Sequence, residues 1–79
     1  MVMPAKELEY ANRIRRFIKA ELKRAELSYK DLAERLTAHG LEETEAGVTS
    51  KLARGTFPAT FFVACLAVLE REGLKLEEI

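Results

Sequence analysis

The stretch from Leu27 to Gly40 spells out both ends of one short helix. Ser28 carries an N-cap side chain, and Asp31, three residues on, is the short-armed partner of a capping box. Leu27 before the cap and Leu32 at the fourth helical position fit a hydrophobic staple. Together these devices contribute on the order of 1 kcal/mol. Gly40 suits the left-handed position just past a helix end. Between the ends, Leu32, Ala33 and Leu36 form one apolar stripe. A helix this short is marginal alone in water and persists by burying such a stripe against neighbours.

Three further helices are expected to supply the cover. Pro4 suits the first turn of a helix over about 5–25. In it Leu8, Ile14, Phe17, Ile18 and Leu22 recur at threes and fours, while Arg13, Arg16, Lys19, Lys23 and Arg24 fall on the other side. A helix over 44–54 starts at Thr44, with Glu45 favourable for its dipole, Val48 and Leu52 inward, and Gly55 closing it. Gly47 inside it is a weak spot, costing about 1 kcal/mol relative to alanine. The last helix, over 58–72, follows Pro58 and is ended by Gly73. Its core stripe is Phe61, Phe62, Cys65, Leu66 and Leu69. Val63, Ala64, Ala67 and Val68 make the other side apolar too, and a helix apolar nearly all round is covered on more than one side. The tail 74–79 alternates and reads as a short strand or extended arm. The expected architecture is a single all-α domain of four helices, with room for a fifth element in the tail.

Seventy-nine residues make one domain with a modest core. Dimerisation would supplement that core. Met1 to Lys6 hold no long apolar run, so a secretory leader is not expected, and the longest apolar stretch, Phe57 to Leu69, is too short to span a bilayer. The default location is cytoplasmic. The net charge is zero, yet residues 1–30 carry eight Lys/Arg against four Glu, and residues 31–79 carry five against nine Asp/Glu. That balance argues against strong nonspecific DNA binding but leaves room for a basic face on the first helix.

No residue set points to catalysis. Cys65 and His39 are each alone, which excludes an intramolecular disulfide and gives no zinc spacing. Cys65 reads as a small buried hydrophobe and His39 as a mild partner of a helix end. There is no glycine-rich phosphate loop, and Phe61 and Phe62 read as core rather than a ligand cage. No cofactor, metal or small-molecule substrate is expected, and the chain does not read as an enzyme.

The order of motifs carries a resemblance. Ser28 to Leu36, followed by Lys51-Leu52-Ala53-Arg54-Gly55 and a proline-led apolar helix, resembles the lambda-repressor-like family, the Cro/C1 type of helix-turn-helix, over about residues 13–73. The run Leu41 to Ala46, then Lys51 to Gly55, then two aromatics, is also similar to a family of small bacterial helix-turn-helix-like domains of unknown function. The chain departs from the repressor pattern. Ala33 and Gly40 stand further apart by about a turn, so the turn between the second and third helices is lengthened. Glu42, Glu43 and Glu45 crowd the end of the third helix that would meet phosphates.

The resemblance implies a small bacterial regulator that reads duplex DNA with its third helix, as a homodimer. With Val48 and Leu52 inward, Ala46, Ser50 and Arg54 turn outward, flanked by Thr49 and Lys51. Arg54 would pair with guanine or phosphate, Ser50 and Thr49 would bond a base or phosphate, Lys51 and Lys30 would meet phosphates, and Tyr29 would donate its hydroxyl. Each has a structural alternative: Arg54 as a dipole partner, the lysines as solvated charges, Tyr29 packed on the first helix. The candidate dimer surface is Val63, Ala64, Ala67, Val68, Leu74 and Leu76. The alternative from another class is a protein-interaction or dimerisation module on the same fold without DNA binding.

Overall fold

The computed structural model describes residues 3–79; Met1 and Val2, part of the stretch read above for a leader, lie outside the described residues. The chain forms four α-helices and, among the described residues, no strand: α1 Ala5–Arg24, α2 Tyr29–His39, α3 Glu45–Arg54 and α4 Ala59–Val68. A short 3-10 turn, Leu76–Glu78, follows. Among the described residues, no single helix is long and apolar enough to cross a membrane.

Each helix end has an identifiable cause. The Ser28 hydroxyl accepts the Asp31 N–H at 3.0 Å and the Asp31 carboxylate accepts the Ser28 N–H at 3.0 Å, completing the capping box. Thr44 caps α3 by accepting the Gly47 N–H at 3.0 Å. Gly40 closes α2 at φ 109, with its own N–H donating to Thr37 O and that of Leu41 to Leu36 O. The same pair of backbone bonds closes α1 around Glu26 and α4 around Glu70. There the left-handed residue is not glycine (φ 58 and 60).

The core lies where the four helices meet. Ile18 and Leu22 of α1, Leu32 and Leu36 of α2, Val48 and Leu52 of α3, and Phe61 and Cys65 of α4 are buried together. Gly55 is the joint between α3 and α1. It sits at φ 71, and a Cβ there would lie 2.6 Å from the Ala11 carbonyl oxygen and 2.9 Å from the Ala11 Cβ. Only glycine permits both that backbone and that approach.

Several expectations are corrected. Leu8 does not join the core stripe: the first turns of α1 overhang the body, Leu8 is 49% exposed, and Ala11 is the first buried residue of the helix. Arg13, expected on the solvent side, is half-buried and donates to the carbonyls of Leu76 and Ile79, each at 2.9 Å. α4 ends at Val68 rather than near 72, and Glu70, not Gly73, takes the left-handed position. The early reversal brings Leu69 and Leu74 against the core and lets Arg71 reach back. Its guanidinium bonds Glu21 at 2.8 Å and also Glu78, and lies 5.1 Å from the Phe17 ring centroid. The tail is therefore neither strand nor free arm but a 3-10 turn held by two arginines.

Candidate nucleic-acid interface

α3 presents a polar outer face. Ala46, Thr49, Ser50, Ala53 and Arg54 are exposed. Thr49 satisfies its hydroxyl on the Glu45 carbonyl at 2.9 Å, and Arg54 donates to the Ser50 hydroxyl one turn back at 3.1 Å. An arginine held lightly by a neighbouring hydroxyl remains able to exchange that partner for an outside acceptor. Ala46, Ser50 and Arg54 thus lie outward, as the spacing predicts, with Thr49 exposed on the flank.

Lys51 does not join them. Its ammonium bonds both oxygens of Glu43, at 3.0 and 3.2 Å, and lies 5.3 Å from the Phe61 ring centroid. The Glu43 side chain is 9% exposed. It lies across Gly47, where a Cβ would collide with the carboxylate. Gly47, weak for the helix, is thus the residue that lets this ion pair close the corner. A lysine paired so near the core is a structural tie rather than a free phosphate ligand. The pairing partners lie eight residues apart across a turn, so no local periodicity marks them.

The neighbouring residues differ among themselves. Lys30 is exposed at the start of α2, without an ion pair among the described residues. Tyr29 is half-buried and packs against the core. The turn between α2 and α3 is held by Thr37. Its hydroxyl bonds Ala33 O at 2.9 Å and Glu43 O at 3.1 Å, and faces the Glu43 N–H at 3.3 Å. Glu34, Glu42 and Glu45 are exposed around the first turn of α3, so that end of the helix is acidic.

The opposite end of α3 is basic, through residues the spacing of α3 itself does not reveal. Arg15 of α1 donates to the Ala53 carbonyl at 2.8 Å, so it caps the C-terminus of α3 and fixes that flank of α1 beside it. Lys19 and Lys23 follow Arg15 at successive turns of the same flank, with Arg16 alongside. Arg16, Lys19 and Lys23 are exposed and make no ion pair among the described residues.

The candidate dimer residues separate into two sets. Val63 (63% exposed), Ala67 and Leu76 (73% exposed) face solvent. Ala64 is buried in the core and so is not part of an outer surface, while Val68 and Leu74 are half-buried against it. At about 100° per residue, positions 61, 64, 65 and 68 turn inward together and leave 59, 63 and 67 outward. Beside this outward side lies an open apolar groove of about 720 Å³. Tyr10, Ala11 and Ile14 of α1, Phe57, Phe62 of α4, and Leu76 and Ile79 of the tail line it.

No group of three or more His, Cys, Asp or Glu among the described residues is placed to hold a metal ion. Cys65 is buried, and burial, with the Glu43 charge nearby, pushes its thiol from 9.0 up to about 12. The thiolate is thus scarce at neutral pH, as for an inert core cysteine.

No curated protein and no solved structure matches the chain. One family profile matches residues 10–74, from just before the first buried residue of α1 to the segment after α4. The overhang of α1 and the 3-10 turn fall outside that span, and the four-helix body falls within it. By this match the chain belongs to the family described as a domain of unknown function (DUF6471).

Proposed function

We propose that this domain binds duplex DNA, as a small transcriptional regulator of helix-turn-helix type. In this reading α3 approaches the major groove with its C-terminal half, and the basic flank of α1 lies along the phosphates. The observation that supports it most is the Arg15 bond to the Ala53 carbonyl, which ties α1, with its exposed Arg16, Lys19 and Lys23, to the end of α3 that carries Arg54. Recognition helices commonly lead with their N-terminal residues. Here Glu42 and Glu45 oppose phosphate approach at that end, so the contact shifts toward Arg54. Arg54 reads a guanine edge or a phosphate, Ser50 and Thr49 supply hydroxyl contacts, and Lys30 adds a phosphate contact from α2.

The test is fluorescence anisotropy of a labelled mixed-sequence duplex across a salt series. Binding is expected to weaken steeply with salt, and Arg16→Ala with Lys19→Ala and Arg54→Ala to lower the log–log slope by about one per lost phosphate contact. Lys51→Ala should leave that slope unchanged. No binding at roughly 50 mM salt, where phosphate contacts are strong, or a triple variant that binds like wild type, would remove the proposal.

A further inference from the structure

We infer that a basic amphipathic helix of a partner protein docks on the outward side of α4, with apolar side chains against Val63, Leu66 and Ala67 and cations against Glu70 and Glu72. α4 is the one helix of the four with no charged residue, from Ala59 to Val68. Its inward residues fill the core, yet its outward side is equally apolar. At about 100° per residue, Ala59, Val63 and Ala67 fall in one outward row, with Phe62 and Leu66 beside it. Val63 is 63% exposed, Ala59 and Ala67 are exposed, and Phe62 and Leu66 are half-buried. Two open grooves meet this row. The groove of about 720 Å³ takes in Ala59 and Phe62 at its start, and a second, of about 590 Å³, takes in Val63, Leu66 and Ala67 at its end. Scattered exposed hydrophobes need no explanation, but a contiguous set does.

The charge at the end of that row selects the occupant. α1, α2 and α3 each carry a basic residue in the last turn: Lys23 and Arg24, His39, and Lys51 and Arg54. α4 carries none, so the partial negative charge of its C-terminal end has no cation of its own helix beside it. The chain instead sets Glu70 and Glu72 there, on the lining of the second groove, both exposed and without an ion pair among the described residues. Arg71 lines the same groove, but its guanidinium is held by Glu21 at 2.8 Å and by Glu78. The other charges on this side offset one another: Lys6 and Arg13 against Glu7 and Glu9, Arg24 with Arg71 against Glu21 and Glu78, and Lys75 against Glu77. Glu70 and Glu72 remain in surplus beside an apolar floor.

Such a surface repels nucleic acid and anionic lipid. Two copies meeting through it would set these carboxylates against each other, which is costly. A cationic partner with an apolar stripe meets neither cost, and the stems of its lysines or arginines would add apolar cover while their heads reach the carboxylates. The partner is helical because the described residues offer no strand edge to extend, and anchors three and four residues apart suit an apolar groove on a helical surface. None of these residues belongs to the proposed DNA surface, so the inference stands whether or not DNA is bound.

The probe is a fluorescein-labelled peptide of about 18 residues, five helical turns, with leucines at i, i+3, i+4 and i+7 and lysines on the flanks. Its anisotropy is titrated with the full chain up to about 500 μM, a range that covers micromolar affinities. The lysine peptide is expected to bind, and NMR cross-peak shifts should gather on residues 63–72. A twin with glutamates for the lysines, and another with serines for the leucines, should each bind at least about 10-fold more weakly. Glu70→Gln with Glu72→Gln, and separately Val63→Gln, should leave the helical circular dichroism intact and weaken the lysine peptide at least about 5-fold. Glu42→Gln with Glu45→Gln, at the acidic end of α3, should leave its affinity unchanged, and so should the Arg16→Ala, Lys19→Ala, Arg54→Ala protein, which separates this inference from the DNA reading. No binding, equal binding of the lysine and glutamate peptides, or wild-type affinity in either folded α4-side variant overturns the inference. So does a wild type whose own cross-peaks at 63–72 shift with concentration, which gives the face to a second copy.

Discussion

The corner formed by α2 and α3 and the edge formed by α4 and the tail are built in opposite ways. At the corner each helix is closed by residues within a turn of its own end: Ser28 with Asp31, Thr44 with Gly47, Gly40 and Gly55 in left-handed backbone. Thr37 and the Lys51–Glu43 pair then fasten the two helices across their turn. At the edge, Pro58 starts α4 without a side-chain cap and Glu70 ends it in a conformation glycine would hold more easily. What keeps that edge in place comes from elsewhere: Arg13 from α1, and Arg71 reaching Glu21 and Glu78. Local closure makes the corner a fixed platform for the outward face of α3. Distant closure leaves the edge dependent on the rest of the molecule, with its apolar side still facing water.

Gly55, which joins α3 to α1, offers the largest way to break this contrast. Gly55→Ala meets both a left-handed backbone and the Ala11 carbonyl, so α1 must move and the Arg15 bond to Ala53 goes with it. The expected loss is about 2–4 kcal/mol, read by urea unfolding. Gly40→Ala is its control, with φ 109 but nothing within 4 Å of the added Cβ. Only the conformational cost of about 1 kcal/mol applies there. Equal losses at the two sites would mean that the close approach of α1 contributes nothing.

The same contrast explains what was legible in the sequence. The all-α class, the capping box, the Gly40 and Gly55 closures and the inward Val48 and Leu52 all rest on interactions within a turn or two, where spacing carries the information. The outward set Ala46, Ser50 and Arg54 followed from the same periodicity. Lys51 did not, because its fate depends on Glu43 across a turn whose path is tertiary. Arg15 and Arg71 act on groups 38 and 50 residues away, and no local pattern distinguishes them from solvated arginines. The end of α4 was misplaced in part for the same reason. Its helical periodicity runs on to 72, whereas the chain reverses at Glu70 through backbone bonds like those that close α1 and α2, with Arg71 held by Glu21 and Leu74 against the core.

The local character of the corner can be tested at its cap. Ser28→Ala is expected to cost about 1 kcal/mol at neutral pH. The Asp31 carboxyl is held below 3.8, first by the Ser28 backbone N–H, then by its hydroxyl, with smaller help from Arg35 and Lys30. Because the folded-state value is lowered, its contribution is present above 3.8 and lost as pH falls through the folded value. Ser28→Ala keeps the backbone bond, so an NMR titration should show Asp31 moving only part of the way back up. A full return would give the whole effect to the hydroxyl.

The smallest effect decides the most about the edge. Glu26 and Glu70 occupy the same left-handed position after α1 and α4. Such a conformation costs an L-residue about 1–2 kcal/mol, and glycine relieves it while giving back roughly 0.5–1 kcal/mol in chain entropy. Each substitution to glycine should therefore stabilise by about 0.5 kcal/mol in the wild-type background. The two should part company once Arg71→Ala is added. At Glu26 the gain should persist, because the Ser28 cap of α2 follows at once and adds a local hold to the backbone bonds the two sites share. At Glu70 the reversal loses the guanidinium that rewards it, and the chain is free to continue α4 toward 72. A glycine inside that continued helix costs about 1 kcal/mol relative to alanine, so the gain at 70 should vanish or change sign. Thermal unfolding of the four proteins of each cycle reads the coupling directly. Equal gains at both sites in both backgrounds would show that Glu70 is placed by its own neighbours, and that the edge is as locally determined as the corner.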